Sequence, residues 1–332
     1  MGSDVKSIPI IDITPLMEKS DDPKMAEDGR VREVVRQLDE ACKEAGFFYV
    51  KGHGVPDSLV KEAREVTRKF FDLSDEEKHK IKLSSTTGYR GYQVIGGNLT
   101  AGNPDFHEAI NSYKEVKPGE YGSLGGPLEG PNLWPDNPSN FKYVIDKYTW
   151  QMKELGRKLM RGVALALGGP VEAFEGDIAG NDFWMMRLIG YPGLSDSQRA
   201  EIKLTDIGCG AHTDDGLVTF INQTEDIQAL QVKNRSGNWI NATPIPGTFV
   251  CLLAEMVKIL SNGIYEATMH RVFTSSSKYR VSVAFFYETT FDKRIGPFDF
   301  CVQKTGGVAK CEVAVYGNLL AEYVAGHLIT DK

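Results

Sequence analysis

Gly208-Cys209-Gly210-Ala211-His212-Thr213-Asp214-Asp215 sets an imidazole and a carboxylate two positions apart. Side chains alternate along an extended segment, so His212 and Asp214 share a face there. The pair supplies half of a facial metal site, since Fe(II) in oxygen-activating enzymes is commonly held by two histidines and one carboxylate with positions left open. The remaining ligand has to come from elsewhere in the chain.

Around this stretch the texture is that of short β-forming runs. Phe183 to Ile189, Leu217 to Asn222, Ala229 to Val232, Trp239-Ile240, Thr248 to Leu253, His270 to Phe273 and Arg280 to Tyr287 are separated by turn signals such as Ser236-Gly237-Asn238 and Pro244-Ile245-Pro246-Gly247. That spacing predicts a sandwich or barrel. His270 opens one of these runs and is the natural second imidazole. Ten residues on, Arg280 and Ser282 are again an i, i+2 pair, and a guanidinium beside a hydroxyl makes a clamp for a carboxylate. Metal plus carboxylate clamp points to a keto acid.

The N-terminal half reads differently. Ile8 to Asp12 is a short strand, and the polar segment from Glu18 to Arg30 reads as loop. Val31, Val34, Val35, Leu38, Ala41 and Cys42 recur at helical spacing, with Gly46 at the C-cap. Phe47 to Val50 is a strand closed by the Gly52-His53-Gly54-Val55-Pro56 turn. A second helix is expected to start near Asp57 or Ser58, and Ser74-x-x-Glu77 is a capping box for a short third. Gly88 to Gly97 reads as loop with a short strand, and Lys117 to Pro138 as the longest irregular stretch. Ser139 to Leu167 is a long amphipathic helix ended by Gly168-Gly169-Pro170. Val313 to His327 predicts a last helix over one end of the barrel. The expected division is an N-terminal α/β region, 1–175, packed on a core region, 176–332, the two forming one compact unit.

Composition narrows the partners. The chain has 332 residues and a formal charge of −7, with charges scattered rather than blocked, so no basic face is available for nucleic acid or an anionic membrane. Cys42, Cys209, Cys251, Cys301 and Cys311 are odd in number and lack any Cys-x-x-Cys, which argues against a disulfide framework or a thiolate metal site. Met1 to Lys6 carries no apolar leader and no myristoylation signal. No run is apolar for the roughly 20 residues that span a bilayer. These features predict a cytoplasmic protein, monomeric by default, acting on a small molecule.

The ordered motifs His212-x-Asp214, His270-Arg271-Val272 and Arg280-x-Ser282 resemble those of the plant-type Fe(II)/2-oxoglutarate-dependent dioxygenases, relatives of isopenicillin N synthase. Ile8-Pro9-Ile10-Ile11-Asp12, Gly46-Phe47-Phe48-Tyr49-Val50 and Leu260-Ser261-Asn262-Gly263 are further landmarks, so the resemblance spans about residues 8 to 327. It implies a mainly β protein with flanking helices, built on a double-stranded β-helix, the cupin-like jelly roll. It further implies an oxidoreductase that hydroxylates, demethylates or desaturates a small organic molecule, such as a plant hormone or specialised metabolite. Fe(II), O2 and 2-oxoglutarate would be used with release of succinate and CO2, and ascorbate would serve as reductant.

On this resemblance His212, Asp214 and His270 match the iron ligands. Arg280 and Ser282 match the anchor of the distal carboxylate of 2-oxoglutarate, and Tyr191 a second cosubstrate contact. Phe286, Glu288 and Arg187 match positions that face substrate in some relatives, while His107, Tyr89 and Tyr92 are candidates as residues of loops over the barrel mouth. His53 and His79 read as structural. Two departures stand out: Ala254-Glu255-Met256 replaces a common Gly-Asp after the strand ending near Leu253, and Ile189 replaces a common Asn before Tyr191. An ascorbate-dependent iron oxidase of the same superfamily and a non-catalytic binding protein on the same scaffold are the alternative functions.

Overall fold

The β-forming runs of this chain are apolar on both faces, and the computed structural model, which describes residues 7–180, 183–193, 207–273 and 276–328, shows why. An eight-stranded sheet is ordered Ile10–Asp12, Phe47–Lys51, Phe249–Leu253, Val218–Gln223, Arg280–Tyr287, Trp184–Tyr191, Glu108–Tyr113 and Gly91–Gln93. Phe48, Val50, Val218, Phe220, Cys251, Val283, Phe285, Met186 and Leu188 face a helical layer. The alternate residues Phe47, Tyr49, Ile221, Val250, Leu252, Ala284, Ile189 and Tyr191 face the interior of the roll. A strand buried on both sides reads as a continuous apolar run rather than an alternation.

Against the interior face lies a four-stranded sheet ordered Trp239–Asn241, Leu230–Lys233, His270–Phe273 and Ile207–His212. The two sheets form the jelly roll, and the space between their inner faces is where the site sits. Strands from the N-terminal third extend the larger sheet at both ends.

The helical layer is led by the Phe141–Leu167 helix, which buries Val144, Tyr148, Met152, Leu155 and Leu159. The Gly29–Glu44 and Asp57–Phe71 helices pack against it. Gly156 lets this helix lie close to the sheet, since a Cβ there would come within 2.6 Å of the Tyr287 ring. Asp28 caps the Gly29–Glu44 helix through the amides of Arg30 and Val31. Gly46, at φ +76°, ends it and turns the chain into the next strand.

Several expectations are revised. The polar Glu18–Arg30 segment is no simple loop: a helix covers Thr14–Lys19 with Pro15 in its first turn, and a 3₁₀ turn covers Met25–Glu27. Both are too short for a hydrophobic period to register, yet each buries one anchor, Leu16 and Met25. Glu108–Tyr113, with Glu, Asn and Ser in six residues, is a fully buried strand. Two of its polar side chains are held by partners: Glu108 accepts from Lys78, Tyr92 and Tyr279, and Asn111 Oδ1 from Arg187. The Lys117–Pro138 stretch contains a helical turn at Gly122–Gly125 and a 3₁₀ turn at Gly126–Leu128. Met1 to Lys6 lies outside the described residues.

Candidate iron and cosubstrate site

Antiparallel pairing puts the two imidazoles together, because His270 stands directly opposite His212 in register. Their rings are 4.2 Å apart at the centroids. The strand ends at His212, so Asp214 reaches the site from the turn that follows, where the amide of Glu255 donates to its carbonyl at 2.9 Å and that of Met256 to Gly216 at 2.9 Å. The unusual Ala254-Glu255-Met256 thus begins the Glu255–Leu260 helix, whose first amides hold the ligand turn. One ligand atom from each of His212, Asp214 and His270 lies within 4.8 Å of the others.

Hydrogen bonds aim these atoms. His212 Nδ1 is 2.8 Å from the Gly210 carbonyl and His270 Nδ1 3.1 Å from that of Thr268, so each ring donates from Nδ1 and leaves the Nε2 lone pair free. Both Nε2 atoms face Asp214 Oδ1, at 3.6 and 3.8 Å. Thr219 Oγ1 donates to the other oxygen, Oδ2, at 2.5 Å. Burial pushes the His270 imidazole down to about 4. For His212 burial acts in the same sense, but the Cys209 sulfur and Asp214 outweigh it and raise the value. Two imidazoles this close to one carboxylate cannot both hold a proton, and a divalent ion satisfies all three without one.

From the triad a narrow recess runs inward, lined by Tyr191, Ile189, Ser282, Ala284, His107 and Arg280. Arg280 is 2 % exposed. Its Nη2 donates to Gln223 Oε1 at 3.0 Å, while Nε and Nη1 have no partner among the described residues. The Tyr191 ring lies under the guanidinium, 4.8 Å from centroid to Cζ. Burial opposes the charge of Arg280, and a guanidinium kept in such a place calls for an anion. Ser282 is buried one pleat along the same face. The donor set therefore fits Fe(II) at the triad and a dicarboxylate with its far end on Arg280.

The recess opens into a cavity of about 480 Å³. Phe286 and Arg187 line both spaces, Glu288 the outer one, and His107 the inner. His107 Nδ1 donates to the Gly208 carbonyl at 2.8 Å, and its Nε2 accepts from Arg187 Nη2 at 3.2 Å. Burial, then Arg187, push this imidazole down to about 4. Arg187 also donates to Asn111, Gln93 and Tyr323. Glu288 is held well above the usual carboxylate range by burial first, then by Asp215 and Asp214. Tyr92 does not line either space: its hydroxyl donates to Glu108 at 2.7 Å, and its ring packs on Phe70. Its place in a strand of the larger sheet, not in a loop over the mouth, removes it from the substrate candidates. Tyr89 is partly buried against the cluster under the C-terminal helix.

Sequence reasoning missed the contribution of that helix, Tyr316–His327. Tyr316, Leu319, Leu320 and Tyr323 line the cavity at i, i+3, i+4 and i+7, a stripe legible in the sequence but assigned only to closure. Asp215, Asn98 and Thr100 were also missed. Asn98 and Thr100 donate to Asp105, whose other oxygen accepts from the Gly210 amide at 3.0 Å, and this ties the loop to the ligand strand.

A jelly roll with a two-histidine, one-carboxylate site and an arginine at the end of its recess defines a non-haem iron oxygenase that uses a keto-acid cosubstrate. Sequence comparison agrees with the geometry. Residues 8–137 match the family described as non-haem dioxygenase in morphine synthesis, N-terminal, and residues 183–289 match the 2OG-Fe(II) oxygenase superfamily. The chain belongs to the 2OG-Fe(II) oxygenase superfamily. It is 56 % identical to homoarginine-6-hydroxylase 2-ODD-233 of Oryza sativa subsp. japonica, covering 99 % of this chain and 100 % of that one. It is also 56 % identical to homoarginine-6-hydroxylase 2-ODD-C23 of Glycine max, over 100 % and 99 %. Among solved structures, a full-length Neurospora crassa protein in complex with alpha-KG and 5-formyluracil superposes with a TM-score of 0.81 at 25 % identity, over 98 % of each chain.

The protein is thus a 2-oxoglutarate-dependent dioxygenase acting on a small molecule, with Fe(II) as its metal; the binding-protein alternative gives way to an enzyme. Bound iron with 2-oxoglutarate and O2 supplies the oxidising chemistry, in which the keto acid becomes succinate and CO2. No helix among the described residues is long and apolar enough to cross a membrane.

Proposed function

We propose that this enzyme hydroxylates homoarginine at C6, with His212, Asp214 and His270 holding iron and Arg280, Ser282 and Tyr191 holding 2-oxoglutarate. The observation that carries the reading is the outer cavity, which reaches His212 and Asp214 of the triad and whose walls bear the carboxylates Asp215, Glu288 and Glu322 against the cation Arg187. Such a wall suits a cationic amino acid and disfavours the carboxylate of an acidic hormone. The names of the rice and soybean relatives support the same substrate, at an identity sustained along the whole chain. In this reading Phe286 packs on the aliphatic stem of the substrate. His107 acts indirectly: by accepting from Arg187 it fixes that guanidinium at the junction of recess and cavity.

The reading carries with it a cytoplasmic monomer that binds neither nucleic acid nor membrane, supported by the five free thiols and by the scattered negative charge. It also treats residues 1–175 and 176–332 as one functional unit, supported by the N-terminal strands within the larger sheet. Purified protein supplied with Fe(II), ascorbate and 2-oxoglutarate tests the substrate. Homoarginine should stimulate succinate release and take up one oxygen atom at C6, recovered as the hydroxy product or as the aldehyde and guanidine into which that hemiaminal breaks, while an auxin or gibberellin acid should do neither. Stimulation by such an acid and none by homoarginine would reverse the assignment.

A further inference from the structure

We propose that Glu288, seated against Gly216 and flanked by Asp215 and Tyr316, is the receptor for the guanidinium head of the substrate and sets the preference of the site for guanidino compounds over their neutral ureido counterparts. The proposal rests on the homoarginine reading and adds to it the residue that recognises the head group.

Glu288 is 3 % exposed, and its Oε2 has no hydrogen-bond partner among the described residues. Structural carboxylates in this molecule look different: Glu108, also buried, accepts from Lys78, Tyr92 and Tyr279. A buried carboxylate oxygen without a donor is costly to maintain, and its side chain lines the outer cavity, where a ligand can supply the missing donors.

The backbone opposite is shaped for it. A Cβ at Gly216 would stand 1.4 Å from Glu288 Oε2 and 2.3 Å from its Cδ. Glycine is required at 216 because the Glu288 carboxylate fills the space a side chain would take, and the sequence Asp214-Asp215-Gly216 seats that carboxylate two residues beyond an iron-binding one. Position matters to the chemistry. In homoarginine the guanidino nitrogen is bonded to C6, so whatever grips the guanidinium also places C6. A receptor beside the Asp214 turn holds the reacting carbon near the metal, whereas a receptor for the amino-acid end alone would leave that carbon free to swing.

Shape agrees with charge. A guanidinium is planar and presents paired N–H groups that match the two oxygens of a carboxylate. Arg187, the cation of this cavity, is already committed to Asn111, Gln93, Tyr323 and His107, and is not the partner Glu288 lacks.

The test compares the full-length iron-loaded enzyme with its Glu288→Gln variant on homoarginine and on homocitrulline, which has a neutral urea oxygen in place of one guanidinium nitrogen. In the variant the KM for homoarginine should rise by about 100-fold, a loss typical of a charge-assisted pair. The preference for homoarginine over homocitrulline should shrink at least about tenfold. The KM for 2-oxoglutarate should stay within about twofold, since Glu288 does not line the inner recess. Melting temperature should change little, because the substitution keeps the side-chain volume and removes a buried carboxylate whose Oε2 has no donor among the described residues. Glu288→Asp, which keeps the charge, should retain most of the discrimination. Unchanged homoarginine KM and unchanged discrimination in Glu288→Gln would overturn the proposal while leaving homoarginine as substrate. Wild-type enzyme that neither binds nor oxidises homoarginine would overturn the functional reading and this proposal together.

Discussion

Arg280 opens the strand Arg280–Tyr287 and Glu288 directly follows it, the first a buried cation with two unpartnered nitrogens and the second a buried carboxylate with an unpartnered oxygen among the described residues. Ser282, Ala284 and Phe286 lie between them at every second position, lining the recess. Each end lacks what a ligand would bring, an anion at one and a cation at the other. The period-two geometry of a strand therefore lays out cosubstrate and substrate in line.

Arg280→Ala should raise the KM for 2-oxoglutarate by about 100-fold or more, with the KM for the amino-acid substrate little changed. Ser282→Ala should have a smaller effect in the same direction, about tenfold, since a neutral hydroxyl contributes less than a charge-assisted contact. Steady-state succinate formation against 2-oxoglutarate concentration checks both.

Thr219→Val should weaken iron binding by about 10- to 100-fold, because the Oγ1 donor that orients Asp214 Oδ2 is lost while side-chain volume is kept. Competition against a chelator measures it. An unchanged iron affinity would show that Asp214 is oriented by the turn alone.

Gly156→Ala sets two effects against each other. Alanine favours a helix by about 1 kcal/mol over glycine. Its Cβ, however, would press within 2.6 Å of the Tyr287 ring, and such overpacking costs about 1–3 kcal/mol. Net destabilisation in chemical denaturation is expected, with some loss of activity through the strand that carries Arg280.

The buried His107 gives a signed pH dependence. Its folded value is lowered to about 4, so between that value and the unfolded value of about 6.5 the unfolded chain binds a proton that the folded protein does not. The stability it contributes is present above about pH 6.5 and is lost as pH falls toward about 4. In metal-free protein, His107→Gln should reduce the proton uptake on unfolding in that window by up to about one. A slope of stability against pH identical to wild type would contradict the neutral, buried assignment.

Much of this was legible in the residues. The long helix, the two early helices and the apolar strands announced themselves by period, and His212, Asp214, His270, Arg280 and Ser282 by spacing within β-forming runs. What escaped detection did so for physical reasons. Glu108–Tyr113 has the composition of a loop, yet Glu108 and the Asn111 side-chain carbonyl are matched by partners distant in sequence. Tyr92 looked like a mouth residue because Gly-rich flanks suggested a loop, whereas a ladder with Glu108–Tyr113 fixes it within the sheet. The C-terminal helix showed its stripe but not which wall it would complete, since the hydrogen bond from Tyr323 to Asn98 spans 225 residues.

The central claim is that iron at His212, Asp214 and His270 couples breakdown of 2-oxoglutarate to hydroxylation of homoarginine in the acidic cavity. The ratio of succinate to oxygenated homoarginine, counted as the C6-hydroxy product plus the guanidine released from it and measured under air with limiting amino acid, tests it most directly. The account predicts close to one succinate per oxygenated homoarginine, with both products absent in Asp214→Ala. Succinate release that homoarginine does not accelerate, or hydroxylation that persists without 2-oxoglutarate, would contradict it.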